Sequence, residues 1–272
     1  MIRIIATGKG GAGKTTVIAT MSRLLSREGY RVLVIDTDPS MNLAMSLGIP
    51  FTTTRTLAED KTGIREQLLG DDPEDGHGHN HEHNHPVSID QLLRLYEVYA
   101  QDNVRVLVMG TIPYGGAGCI CSSISLVKTL IEQIASRIER YDFIIIDSQA
   151  GSEILGRGLA VDYDYNLVVT EAFPKSMEVA RHVMKLAGDL RIKKQVVVVN
   201  KVKDGNETDL VLKSLCLNAE ICYPVRYDER VAEADRNGQL ILDTAPDSWM
   251  VGDIKEIMNM IQVSCRPEGG AG

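Results

Sequence analysis

Aromatic residues are scarce in this 272-residue chain, at 5% with a single Trp and three Phe, so the core it builds must be aliphatic. Basic residues are outnumbered, 29 Lys and Arg against 37 Asp and Glu, and the formal charge of −8 argues against duplex DNA or an anionic membrane as partner, since both are held by a basic surface. No apolar run approaches the length of a bilayer span. The chain enters an apolar run at Ile2 and a glycine-rich turn at Gly8, which leaves no room for a signal peptide, and a cytoplasmic location is expected. Cysteines number five, an odd count that does not read as a disulfide framework; metal ligands, catalytic groups or core residues are the alternatives. What the chain does have is 44% hydrophobic residues, sufficient for a full core, in a length within the range of one α/β domain.

Apolar Ile2 to Ala6 precedes Gly8-Lys9-Gly10-Gly11-Ala12-Gly13-Lys14-Thr15-Thr16, and the helical pattern Val17, Met21, Leu24, Leu25 follows it. Strand, glycine turn and helix start make this G-x-x-x-x-G-K-[ST] a phosphate cradle. The glycines let backbone N–H groups curl around an anion, the helix N-terminus adds the positive end of its dipole, and Lys14 carries a full charge to the outer phosphates. Thr15 is left to hold Mg²⁺.

A first helix running to about Glu28 stops at Gly29, and a strand from Arg31 to Ile35 leads into Asp36-Thr37-Asp38-Pro39. Farther on, Phe143 to Ile146 ends in Asp147, an apolar strand closed by an aspartate placed to accept a Mg²⁺-bound water. Strand and helix units then follow at Asn166–Thr170 with Lys175–Leu190, and at Val196–Val199 with Glu207–Leu217. Next come a last strand about Glu220–Tyr223 and a C-terminal helical pattern, Trp249–Ile261, that is expected to pack on the domain. Alternation of strands and helices is the signature of a parallel sheet covered on both faces.

Lys9 adds a second lysine to the loop. The string Lys-Gly-Gly-x-Gly-Lys-Thr resembles the deviant loop of the MinD/ParA and nitrogenase-iron-protein superfamily of P-loop ATPases. That resemblance implies a three-layer α/β fold with about seven or eight mostly parallel strands. It also implies an ATP-dependent homodimer in which Lys9 reaches across a two-fold axis to the partner's nucleotide. Asp38 resembles the aspartate that orients the attacking water, and a turn-forming Asp-Pro is the plainer reading of it. Ser148 stands where the superfamily has threonine after the strand-end aspartate. Asn200-Lys201 resembles the pair that reads adenine, an amide offering both donor and acceptor, and Pro224-Val225-Arg226-Tyr227-Asp228 resembles the segment whose backbone closes over the base.

Two features lie outside that frame. Helical patterns at Leu57–Leu69 and Ile89–Ala100 flank a polar stretch from Gly70 to Pro86, in which His77, His79, His81, His83 and His85 alternate strictly. Alternating imidazoles on an extended segment share a face and suit Ni²⁺, Zn²⁺ or Cu²⁺; the tract reads either as a metal store or as a dispensable solvated insert. After a strand from Val104 to Met109, a glycine-rich run carries Cys119 and Cys121, and a helix follows at about Ser123–Arg140. Two thiols are half of a closed Zn²⁺ or Fe–S site, and an isologous dimer supplies the other half; two packed thiols are the alternative. Gly-Gly-x-Gly-Cys-x-Cys resembles the CooC family, ATPases that insert nickel into carbon monoxide dehydrogenase.

The organisation expected is one ATPase domain over 1–265, a helical insert at 51–103 holding the flexible segment 70–86, and a tail at 266–272. Cys216 and Cys222 read as small core residues, Cys265 lies in a polar tail, and His182 reads as a surface or packed residue. The function implied by the resemblance is ATP hydrolysis coupled to metal insertion. Ni²⁺, or Zn²⁺, would sit on Cys119 and Cys121 of both subunits, with carbon monoxide dehydrogenase or acetyl-CoA synthase as client. The rivals are an Fe–S reductase and a partition ATPase.

Overall fold

The computed structural model describes residues 1–50, 54–59, 64, 89–110, 121–137 and 140–263. In chain order its elements are β1 (Ile2–Gly8), α1 (Lys14–Arg27), β2 (Val32–Asp36), α2 (Asn42–Ser46), α3 (Ile89–Tyr96), β3 (Val98–Tyr99), β4 (Arg105–Val108), α4 (Cys121–Arg137) and β5 (Phe143–Asp147). There follow α5 (Glu153–Gly156), β6 (Tyr165–Thr170), α6 (Pro174–Asp189), β7 (Lys194–Val202), α7 (Gly205–Leu215), β8 (Cys222–Arg226), α8 (Glu229–Arg236), α9 (Ile241–Thr244) and α10 (Trp249–Val263).

The strands form one eight-stranded sheet in the order β3-β4-β2-β5-β1-β6-β7-β8, parallel throughout except where β3 meets β4. Period-two alternation sends neighbouring residues of β1 to opposite faces. Ile4 and Ala6 pack with Val17, Ile18 and Met21 of α1 and with Ile254 and Ile257 of α10. Ile5 packs on the other side with Val127 and Leu130 of α4 and Ala180 and Val183 of α6. Both faces are therefore covered, as the near-continuous apolar strands require. Parallelism has a functional consequence: the C-terminal ends of β1, β2, β5, β7 and β8 open on one edge, where ligands of such sheets bind.

Three segments depart from the sequence expectation. The helix expected over Ile89–Ala100 stops at Tyr96, and Val98 and Tyr99 pair antiparallel with Val106 and Arg105. The break is fixed by Glu97, whose carboxylate is nearly buried and accepts from the Tyr141 hydroxyl at 2.5 Å and from Arg140 at 2.8 Å. At the start of the helix expected over Leu57–Leu69, Leu57 and Ala58 donate backbone N–H groups to Val108 and Met109 and so run beside β4, while Ile64 is helical; residues 60–63 and 65–69 of that expectation lie outside the described residues. The last strand begins two residues later than expected and runs to Arg226.

The expected packing of α10 holds, with Met250, Val251, Ile254, Ile257 and Ile261 buried. Cys222 is buried as expected, whereas Cys216 is exposed because it closes α7 in a left-handed cap, φ 53°. No helix of the described residues is long and apolar enough to cross a membrane.

Candidate nucleotide site

The loop between β1 and α1 is shaped by close approaches that only glycine permits. Gly8 has φ 140°, and a Cβ there would lie 2.1 Å from the carbonyl oxygen of Val169 on β6. Gly13 has φ 98°, and its Cβ would lie 2.1 Å from the side-chain nitrogen of Asn200. Gly13 is also the N-cap of α1 and offers no side chain to the helix start, so the first N–H groups of α1 keep no side-chain cap. An uncapped helix start with its dipole intact is an anion site. Lys14 is buried, and its ammonium faces the Gly8 and Lys9 carbonyls at 3.4 and 3.5 Å. Burial lowers the pKa of Lys14 while the charges of Asp147 and Asp38 oppose the shift, the setting of a cation held for an anionic ligand.

Asp36 and Asp147 end neighbouring strands in direct register. Asp147 accepts from the Thr15 hydroxyl through Oδ2 at 2.7 Å, whereas its Oδ1 is buried with no hydrogen-bond partner among the described residues. Burial pushes its pKa up to about 6, against the pull of the Thr15 hydrogen bond and Lys14. A carboxylate oxygen without a partner beside a hydroxyl is the oxygen donor set of a hard cation, so Thr15 and Asp147 fit Mg²⁺. Asp36 is fully buried, and burial and then the Asp147 charge raise its pKa to about 8. Its two oxygens accept from the backbone N–H groups of Asp38 and Leu43, each at 3.0 Å, which ties the segment after β2 to the strand end. Thr37 seals the same place by donating its N–H and its hydroxyl to the Asp147 carbonyl. Asp38 is left half-exposed and lines the cavity, while the Ser148 hydroxyl donates to the Ala6 carbonyl at 2.5 Å.

The cavity over this edge has a volume of about 780 Å³. Gly10, Gly11, Gly13, Lys14, Thr15 and Thr16 line one end of it. Asn200 and Lys201 line it too, yet their side chains grip the loop. The Asn200 amide donates to the Ala12 carbonyl at 2.7 Å, and the Lys201 ammonium donates to the Gly11 carbonyl at 2.8 Å while pairing with Glu171 at 2.9 Å. Lys201 reaches there because it sits at φ 61° where the pairing of β7 with β8 shifts register.

Of the base-closing segment, Arg226, Tyr227 and Asp228 line the cavity, but Val225 is buried in the core and Pro224 is exposed on the edge strand, and neither of these two lines it. Residues not anticipated from the sequence complete the wall: Val231 and Asp235 of α8, Met45 of α2, and Met250 of α10. Lys9 is outside the lining; its ammonium donates to the Gly10 carbonyl at 3.2 Å. Cys119, the side chain of Cys121 and His77, His79, His81, His83 and His85 lie outside the described residues, although the backbone of Cys121 opens α4. His182 is exposed on α6.

Residues 3–241 match the CobQ/CobB/MinD/ParA nucleotide binding domain. The chain belongs to this family. A MinD/ParA-type P-loop ATPase acts on ATP with Mg²⁺, which accords with the uncapped helix start and the Asp147–Thr15 pair. An uncharacterised ATP-binding protein of Methanocaldococcus jannaschii is 34% identical over 268 residues, spanning 96% of this chain and 97% of the relative. The carbon monoxide dehydrogenase accessory protein CooC of Rhodospirillum rubrum is 30% identical over 247 residues, 90% of this chain and 91% of that one. In fold, the chain is similar to MinD of Pyrococcus horikoshii solved with Mg-ADP, with a TM-score of 0.67 at 19% identity over 98% of this chain and 100% of that chain.

Proposed function

We propose that this MinD/ParA-family ATPase is a metallochaperone that spends ATP to deliver nickel to carbon monoxide dehydrogenase or acetyl-CoA synthase. The observation that carries the reading is likeness to CooC along nine-tenths of the chain, 30% identity over 90%, in a sequence that holds Cys119-x-Cys121, the second of which opens α4. That helix follows β4, whose C-terminal end lies on the same sheet edge as the phosphate loop. Closure of two subunits over two nucleotides would bring four thiolates together around one Ni²⁺, a complete soft-ligand set where one chain offers half.

In this reading Lys14 and the partner-directed Lys9 hold the phosphates, and Asp38 orients the attacking water. Asn200, Lys201 and Arg226 border the nucleoside. Thr15 and Asp147 would hold Mg²⁺, which neutralises phosphate charge when bound. The histidines from His77 to His85 serve as an accessory collector feeding the cysteines.

Anaerobic titration of the purified protein with Ni²⁺, without nucleotide and with ADP or ATP, tests this when thiolate-to-metal charge transfer is followed alongside oligomer mass. One Ni²⁺ per dimer, tightened by ATP and lost in Cys119→Ala or Cys121→Ala while ATP hydrolysis persists, is the expected result. Unchanged capture by Cys119→Ala would sink the assignment. A reducible iron–sulfur spectrum would favour the electron-transfer reading, and ATP-dependent co-sedimentation with DNA the partition reading.

A further inference from the structure

Arg226 ends β8 and lines the nucleotide cavity with its side chain about half exposed, 47%, yet it is among the most tightly held side chains on that edge. Its Nε lies 3.0 Å from both oxygens of Asp253, its Nη2 donates to Oδ1 at 2.5 Å, and its backbone N–H donates to Oδ2 at 2.8 Å. Asp253 is itself buried, with a side chain only 7% exposed. Behind the guanidinium stands the chain's single tryptophan: the Arg226 carbon lies 4.5 Å from the centre of the Trp249 ring. A surface arginine ordinarily samples many rotamers, and ordering one costs conformational entropy. Here a buried carboxylate and an aromatic ring fix it before any ligand arrives.

A fixed planar cation with one face on a ring can take a second flat π-system on its other face, because guanidinium stacks on aromatic planes as well as pairing with carboxylates. Position supports the match. β8 is three strands from β1 in the sheet order, and at about 4.8 Å per strand Arg226 stands roughly 14 Å from the phosphate loop, within reach of an extended nucleoside triphosphate whose phosphates occupy that loop. Val231 and Met250 line the cavity with it and add apolar surface of the kind a purine buries against.

We infer that the Arg226 guanidinium, pinned by Asp253 and backed by Trp249, is the platform on which the purine of the bound nucleotide stacks. This goes beyond closure of the base by backbone: the affinity determinant is a side-chain plane. The inference rests on nucleotide binding alone and stands or falls apart from the metal cargo.

The test compares ATP with inorganic tripolyphosphate, which keeps the phosphates and lacks the base, by calorimetry on wild type, Arg226→Ala and Arg226→Lys. Lysine retains a charge for Asp253 but not the plane, so it remains informative should the alanine variant fail to fold. The expected result is an ATP Kd raised about tenfold in both variants, with tripolyphosphate Kd unchanged within about twofold. Trp249 supplies an independent readout: its fluorescence should respond to ATP and not to tripolyphosphate in wild type, and the response to ATP should be lost in Arg226→Lys. Wild-type ATP affinity in Arg226→Lys, or equal weakening of both ligands, would overturn the platform.

Discussion

The two ends of the nucleotide cavity are built from different materials. At the phosphate end the cradle is backbone, a loop in which a Cβ on Gly8 or Gly13 would lie 2.1 Å from its neighbour; Lys14 and Thr15 reach into it and two buried strand-end aspartates back it. At the base end they are side chains on a rim, Arg226, Tyr227 and Asp228, held by ion pairs and stacking. Backbone construction leaves no room for graded change. A rim of side chains does, since each can be altered without moving the sheet beneath it.

Gly13→Ala should break the phosphate end outright. The new Cβ must take a left-handed conformation and displace the Asn200 amide from the Ala12 carbonyl. Backbone strain of about 1–2 kcal/mol and a lost hydrogen bond of about 1 kcal/mol together predict roughly a 100-fold loss of ATP turnover. Steady-state hydrolysis, with a melting curve to show the variant folded, checks it. A loss under about threefold would mean the loop adapts and the contrast is overstated.

Mg²⁺ dependence sharpens the same end. Asp147 titrates near pH 6 because burial disfavours its charge, and only the carboxylate can serve the cation. Half-saturating Mg²⁺ for ATP hydrolysis should therefore be flat above about pH 7 and rise about tenfold per pH unit below about 6. Asp147→Asn should raise the Mg²⁺ requirement at every pH and flatten this profile. A wild-type requirement constant from pH 7 to 5 would contradict the assignment of Asp147.

The same division explains what the sequence discloses. The phosphate loop, Thr15 and Asp147 are legible because their chemistry depends on a few contiguous residues at the junction of one strand and one helix. The base wall is not, because Val231, Asp235 and Met250 come together only when α8 and α10 fold over β8. Asn200 and Lys201 are legible as residues of the site but not in their contacts, since nothing in the chain announces the register shift that turns Lys201 back to Gly11. At the far edge of the sheet, the apolar spacing of Ile89, Leu92, Leu93 and Tyr96 runs without punctuation into Val98 and Ala100. The strand there exists because Val98 finds Val106 and Glu97 finds Tyr141, contacts invisible to local periodicity.

Lys201 lies between the two ends and should give an intermediate effect. Its ammonium steadies the Gly11 carbonyl from outside the loop, so Lys201→Ala should raise KM for ATP about threefold to fivefold and change kcat less than twofold. Lys201→Arg, which can still meet Glu171, should recover part of the loss. A drop in kcat at constant KM would make Lys201 part of the chemical step.

A separate effect, on stability rather than turnover, distinguishes the buried carboxylates from the rim. Asp36 is raised to about 8 by burial and by Asp147, from an ordinary value near 4 in the unfolded chain. Below about pH 4 both states hold the proton. Between about 4 and 8 the folded state keeps it and the unfolded state has released it, so rising pH favours unfolding by up to about 1.4 kcal/mol per pH unit; above 8 the slope vanishes. Nucleotide-free, Mg²⁺-free protein should thus melt several degrees lower at pH 8 than at pH 6. Asp36→Asn, which cannot titrate, should lose that slope, whereas Arg226→Lys at the rim should keep it. A slope that survives in Asp36→Asn would place the proton on another group.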